Sequence, residues 1–397
     1  MSNGILSGIK VLDLTRVLAG PYSGMLMADM GADVIKIEMP GKGDDSRAFG
    51  PFINGESSYY MNLNRNKKGV TLNLKTEEGK NIFLEMVKKA DVVLENYRPG
   101  TMEKLGLGYE TLKMINPGII YGCVSGFGHY GPYSQRAGYD IIGQAMGGLM
   151  STTGWPGGEP TRTGTAMGDV LGGLSVTIGV VAAVVNKLQT GEGQKVDVSL
   201  VDSVVSSLEI INQIYLSTGR IPERIGNRYE STYPYDSFKV KDGSIVIACG
   251  NDKLFNILAN EMGKAELTSD VRFVKNIDRV TNHDDLKEII EKWSINFTID
   301  ELVERLLELG IPTAPINTID RVVKDPHIAG AREMFVEVDH PVAGKNKITG
   351  NHIKFSDLKA DIRMPAPVLG QHNDEVYSEL LGFSKEKIRE LKDNKVI

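Results

Sequence analysis

Short apolar runs separated by amphipathic stretches dominate the first 125 residues. Residues 10–14, 33–38 (DVIKIE), 70–74, 91–95 (DVVLE) and 119–125 (IIYGCVS) have the length and the β-branched content of strands. The apolar spacing over 22–30 and 76–89 predicts helices between them. Runs without polar alternation are buried on both faces, so strands alternating with helices predict an α/β fold around a parallel sheet. Farther on, residues 170–185 carry no charge and include Gly172, Gly173 and Gly179. The run is shorter than the roughly 20 residues of a membrane span, and predicts a fully buried helix. A turn at Gly191 and Gly193, a strand over 195–200 and a helical stretch to about Gly219 follow.

The polar stretch 220–228, with Pro222 and Gly226, has linker character. Residues 237–249 predict a hairpin turning at Asp242-Gly243. Helices are expected near 253–262, 284–296 and 299–309, in a smaller α+β domain that ends near 311–315. Short strands over 335–338 and 347–355 and a helix after Asp374 complete the chain. The expected division is a large domain from 1–219 and 325–397, with a small domain over 220–324.

Composition narrows the class. At 397 residues, 41% hydrophobic and 24% charged, the chain has the balance of a globular protein with a large core. A net charge of −6 argues against general affinity for nucleic acid, although a local basic pocket is compatible with it. Cys123 and Cys249 lie in apolar runs and are expected to be buried free thiols. No CxxC or Cys/His spacing suggests a metal. The start, MSNGILSGIKVLDL, lacks a basic region followed by an apolar core, so the expected compartment is the cytoplasm, with no membrane partner.

Two places invite chemistry. The first strand–loop–helix unit, VLDLTRVLAGPYSG, resembles a dinucleotide-binding turn but lacks G-x-G-x-x-G, which argues against a nicotinamide dehydrogenase. Asp169, ahead of the apolar helix, is either a plain N-cap or a nucleophile. A helix N-terminus favours the ionised carboxylate that a nucleophile requires. Gly164, Gly168, Gly172 and Gly173 would leave room for a bulky thioester and expose N–H groups to an oxyanion. Periodicity does not choose between the two readings.

A series of segments in fixed order does. They are GIKVLDLTRVLAGPYSGMLMADMGADVIKIE, NRNKKGVTLNLKTEEGK, ADVVLENYRPGTMEKLGLGYE, NPGIIYGCVSGFGHYGPY, GTAMGDVLGG, TGEGQKVDVSLVDS, GIPTAPI and MPAPVLGQHNDEVYSELLG. Through them the chain resembles, over essentially its whole length, the class III CoA-transferases (the CaiB/BaiF family, with formyl-CoA transferase and carnitine CoA-transferase). The resemblance implies a Rossmann-like large domain built from both chain ends, a small α+β domain and an interlocked homodimer. It implies CoA transfer between carboxylic acids, with Asp169 forming aspartyl anhydride and aspartyl-CoA thioester intermediates. It assigns CoA contacts to Leu18, Ala19, Leu72, Asn73, Lys75, Asn96, Tyr97, Arg98, Lys104, Ala137, Tyr139 and Asp140. CoA and acyl-CoA are then substrates, and no cofactor is held permanently.

Departures from the family pattern are informative. Met39 and Ala137 stand where some relatives have a basic residue. The polyglycine loop of formyl-CoA transferase has no counterpart, which makes an acceptor as small as oxalate less compelling. The rival reading is an isomerase like the α-methylacyl-CoA racemases, which use a histidine in an AGHD-like motif. Here the motif is AGYD, with Tyr139 in that place, and a tyrosine, whose free side chain titrates near 10, is a poor base at neutral pH. A non-catalytic CoA-binding protein would use Asp169 only as a cap.

Overall fold

The computed structural model describes residues 4–397. The chain divides into two compact units. The first holds the described residues up to Leu149 with Arg162–Gly219 and Pro326–Ile397, and the second holds Met150–Thr161 and Arg220–Asp325. The segment Met150–Thr161, placed by its pattern in the larger domain, therefore belongs with the second unit. Arg224 holds it there, donating to the carbonyl oxygens of Ser151 (3.1 Å) and Gly158 (2.6 Å).

The first unit is built on six parallel strands: β1 (Lys10–Asp13), β2 (Asp33–Glu38), β3 (Lys67–Thr71), β4 (Val92–Glu95), β5 (Ile120–Ser125) and β6 (Lys195–Ser199). Their order is β3-β2-β1-β4-β5-β6. This is the order of doubly wound sheets, in which ligands bind at the carboxyl ends of the strands near the switch between β1 and β4. Neighbouring residues on a strand enter different cores. Leu12, Ile35, Val70 and Val93 lie in one, and Val11, Val34, Val92 and Ile120 in the other. Burial on both faces is why these runs lack alternation.

The third strand begins three residues earlier than the apolar pattern implies. Lys67 disguises its start, because a buried lysine is tolerated only when paired. Its ammonium donates to Asp13 Oδ2 (2.8 Å), Asn64 Oδ1 (2.9 Å) and the Pro21 carbonyl (3.0 Å). Leu72 and Leu74 stay buried beyond the strand's end. As an edge strand β3 needs cover, and the C-terminal segment supplies it. Thr71 N–H donates to Asn373 Oδ1 (2.8 Å) and the Tyr377 hydroxyl to Thr71 O (2.7 Å).

Five helices frame the sheet's functional end: α1 (Ala19–Asp29), α2 (Asp140–Met146), α3 (Met167–Thr190), α4 (Leu200–Ser207) and α5 (Ile210–Thr218). The 24-residue α3 is the one helix among the described residues long and apolar enough to cross a membrane, by length and composition alone. Val176, Val180, Ala183 and Val184 lie in the sheet's core. The expectation of a fully buried helix is corrected on the opposite face, where Ile178 (70%) and Leu188 (78%) are exposed. An apolar helix without charges carries no signal for which side faces outward.

In the second unit, Tyr235–Val240, Gly243–Ala248 and Thr313–Pro315 form an antiparallel sheet. The hairpin pairs Val240 with Gly243, so its loop is Lys241-Asp242 rather than Asp242-Gly243. Asp242 instead accepts the Ile299 N–H (2.8 Å) at the start of the helix Ile299–Glu308. In the first unit, Phe335–His340 pairs with Gly344–Thr349, a tighter hairpin than the runs 335–338 and 347–355 suggest. Cys123 and Cys249 are both buried and free.

Candidate active site

The loop after β1 is held almost entirely by side chains. Asp13 accepts the Thr15 N–H (2.9 Å), and the Lys36 ammonium donates to the Thr15 carbonyl. Asp44 accepts the Val17 N–H (3.1 Å). Asn96 accepts the Arg16 N–H and donates to the Arg16 carbonyl, both at 2.7 Å. Val17 has φ +68°, a left-handed conformation costly for a β-branched residue, and persists only where its surroundings impose it. The fully buried Lys36–Asp44 pair (2.8 Å) is the centre of that support. Burial pushes Lys36 down, but Asp44, Asp13 and Glu38 more than offset it and hold the ammonium above its usual range. The same pairing holds Asp44 far below the usual carboxylate range despite its burial.

Two clefts open at the carboxyl ends of the strands and share Arg16, Tyr97 and Thr101. The first, of about 680 Å³, is lined by Leu72, Asn73, Lys75, Tyr97 and Lys104, and also by Met39 and Lys42. The second, of about 460 Å³, is lined by Leu18, Ala19, Asn96, Tyr97, Arg98, Ala137, Tyr139 and Asp169. The fold thus gathers twelve of the thirteen residues singled out from sequence, from six segments, in two clefts that share part of their walls. Asp140 is not in either lining. Lys75, Arg98 and Lys104 are exposed, with no acid paired to them among the described residues. Asn96 lines the wall, but both ends of its amide are engaged by Arg16. Gly126 and Gly138 bring the segment before α2 against the end of β5. A Cβ on either would lie within 2.4 Å of the other's Cα.

Asp169 is not the N-cap of α3. The cap position is Ala166, which makes no side-chain bond, and Asp169 sits in the first turn. Asp140 does the capping from the start of α2: its Oδ1 accepts the N–H of Gly168 (2.8 Å) and of Asp169 (3.3 Å). Gln144 fixes Asp140 by donating to its Oδ2 (2.8 Å), and its own Oε1 accepts the Thr163 N–H (3.0 Å). Asp169 therefore shares a helix N-terminus with a second carboxylate. Burial, and then the charge of Asp140, push the Asp169 carboxyl up to about 7. The expectation that the helix end favours the ionised form is overridden, because the helix N–H groups are already committed to Asp140.

The glycines near Asp169 also act differently from expectation. A Cβ on Gly172 would lie 2.6 Å from Leu200, and one on Gly173 2.6 Å from the Ala19 carbonyl oxygen. They let α3 approach α4 and α1 closely. At Gly168 a Cβ would crowd Asp140 (3.1 Å), so only Gly164 faces open space. Sequence reasoning missed Tyr59, whose phenol is pushed up to about 12 by burial and by the charges of Asp169, Asp44 and Asp140. Nothing in the YYMNLN segment marks it, since its nearness to Asp169 is a tertiary effect.

CoA-transferase family III matches residues 6–373. The chain is 40% identical over 391 residues to the human succinyl-CoA:glutarate CoA-transferase, covering 97% of this chain and 88% of that one. It is 42% identical over 354 residues to the acetyl-CoA:oxalate CoA-transferase of Acetobacter aceti, covering 89% and 90%. A solved CaiB/BaiF family protein from Brucella suis superposes with TM-score 0.86 at 39% identity, covering 96% of this chain and all of that one. The chain belongs to CoA-transferase family III.

Proposed function

We propose that this enzyme moves CoA between short dicarboxylic acids by covalent catalysis on Asp169. The observation that carries the reading is the placement of Asp169 in the wall of a cleft continuous with one lined by Lys75 and Lys104. A long anionic thioester laid along both would put phosphates beside cations and its acyl end near a carboxylate. The Asp169 carboxylate attacks the donor thioester carbonyl, the C–S bond breaks, and a mixed anhydride and CoA thiolate result. The thiolate attacks the aspartyl carbonyl, releasing the donor acid and leaving an aspartyl-CoA thioester. The acceptor carboxylate attacks that thioester and expels the thiolate, which then attacks the acceptor carbonyl and frees Asp169. Each step exchanges one acyl bond for another, so the thioester's free energy is conserved while water is excluded.

The substrate class follows the names of the relatives, which specify glutarate and oxalate. CoA and acyl-CoA are substrates here, not resident cofactors. We also propose a homodimer, because the outer face of α3 is apolar and α5 buries none of its residues while exposing Tyr215 and Leu216. Faces of this kind are usually covered by a partner. The test is a CoA-exchange screen with succinyl-CoA and acetyl-CoA against two- to five-carbon dicarboxylates, with light scattering for the dimer. Transfer to at least one dicarboxylate is expected. Exchange of the substrate's α-proton with solvent, without any acceptor acid, would instead show an isomerase.

A further inference from the structure

Behind the loop that lines both clefts lies a buried group of titratable side chains. Strand β4 ends in Glu95, whose side chain is 2% exposed. Glu95 Oε2 accepts the Tyr97 N–H (2.7 Å), and Oε1 accepts the Tyr121 hydroxyl (3.1 Å). His129 Nε2 lies 3.5 Å from Oε1 and is buried without a hydrogen-bond partner. The other ring nitrogen, Nδ1, is 3.0 Å from the Lys195 ammonium. An ammonium can only donate, so Nδ1 accepts, and the neutral imidazole carries its proton on Nε2, towards Glu95.

Glu95, Cys123 and His129 also bring one donor atom each within 4.8 Å of one another, a spacing a metal ion would accept. With its proton on Nε2 the imidazole has no lone pair to offer there. The arrangement therefore suits a proton rather than a metal. Around Glu95 the remaining groups are Cys123, Glu103, Lys195 and Asp197, and Asp197 accepts the His129 backbone N–H (2.9 Å). Burial pushes the Glu95 carboxyl up to about 7. Burial and then Lys195 hold the imidazole below its usual range, so an added proton goes to Glu95 rather than to His129.

We propose that Glu95 is a positioning residue whose negative charge fixes the Asn96–Arg98 loop, so that CoA binds most tightly when Glu95 is ionised. The inference rests on those clefts binding CoA. As an anion, Glu95 accepts from Tyr97 and Tyr121, and the His129 Nε2–H faces it at 3.5 Å. Protonated, one of its oxygens carries a proton that faces these donor groups, and the Tyr97 N–H loses its charged acceptor. Tyr97 and Arg98, which line the clefts, shift with it.

The test is the dissociation constant of CoA by calorimetry from about pH 5.5 to about pH 8.5, for the wild type and Glu95→Gln. The ratio of variant to wild-type values cancels titration of the CoA phosphates and of Asp169. It is expected to rise from about 1 at the acid end to roughly 3- to 10-fold at the alkaline end, the difference between a charged and a neutral acceptor. A ratio independent of pH would make Glu95 merely structural and overturn the proposal. Should Glu95→Gln fail to fold, Tyr121→Phe removes one donor to the anion. It should move the midpoint of the affinity curve to higher pH, and an unmoved midpoint overturns the proposal equally. Absence of CoA binding by the wild type at every pH would instead overturn the CoA reading, and this inference with it.

Discussion

Replacing Asp140 by Asn separates the two tasks of its carboxylate. The amide oxygen can still accept the Gly168 N–H, so the start of α3 keeps its cap, but the negative charge beside Asp169 is gone. Two like unit charges at an illustrative separation of about 6 Å, in an effective dielectric of about 20–40, repel by about 1.4–2.8 kcal/mol. At about 1.4 kcal/mol per pH unit that is about 1–2 units. Burial is the larger cause of the Asp169 shift and is unchanged by the substitution. A fall of about one unit from the present value near 7 is therefore expected. The sign is fixed: without the like charge, ionised Asp169 costs less, and the proposed nucleophile is available at lower pH. The assay is single-turnover formation of the Asp169 adduct from an acyl-CoA, followed by rapid quench and intact mass across pH. The wild-type rate should rise with a midpoint near 7, and the variant midpoint should lie about one unit lower. A midpoint that stays put or rises would refute the account of how these two acids share the helix end.

Three further outcomes follow from the same structure. Lys36→Met leaves Asp44 buried and unpaired beneath the Val17 loop, and should destabilise the fold by about 3–5 kcal/mol in denaturant titration. Lys75→Ala and Lys104→Ala should each weaken acyl-CoA binding roughly 3- to 10-fold at low ionic strength, with the loss shrinking as salt is raised. Neither should affect an acyl-pantetheine substrate that lacks the nucleotide phosphates. Gly173→Ala would place a methyl group 2.6 Å from the Ala19 carbonyl and should cost about 1–3 kcal/mol, visible as a lower Tm.

Much of this architecture is legible in the chain because burial on both faces writes strands as continuous apolar runs. Strands β1, β2, β4 and β5 are found in this way, close to their observed limits. What escapes the pattern depends on tertiary pairing. Lys67 reads as a loop residue until Asp13 is placed beside it, so the start of β3 is misplaced. The cap on α3 comes from Asp140, 29 residues before Asp169, and no local rule joins them. Cys123 and His129 have no metal-like spacing in sequence, yet β5 and the loop after it bring both to Glu95. Asn96 belongs to a cleft wall, but its amide is engaged by the Arg16 backbone, which only the crossing of two loops reveals. The cleft residues themselves are identified by family resemblance, and the strand order explains why they converge. Most follow the end of a strand or lie at the start of a helix.

The most direct test of the central claim is covalent capture at Asp169. The enzyme is incubated with an acyl-CoA and no acceptor, then treated with hydroxylamine or borohydride and analysed by peptide mass. The account predicts a hydroxamate or the reduced alcohol on the peptide containing Asp169, and its loss in Asp169→Asn. Transfer of CoA to an acceptor with no modification at Asp169, or undiminished transfer by Asp169→Asn, would contradict it.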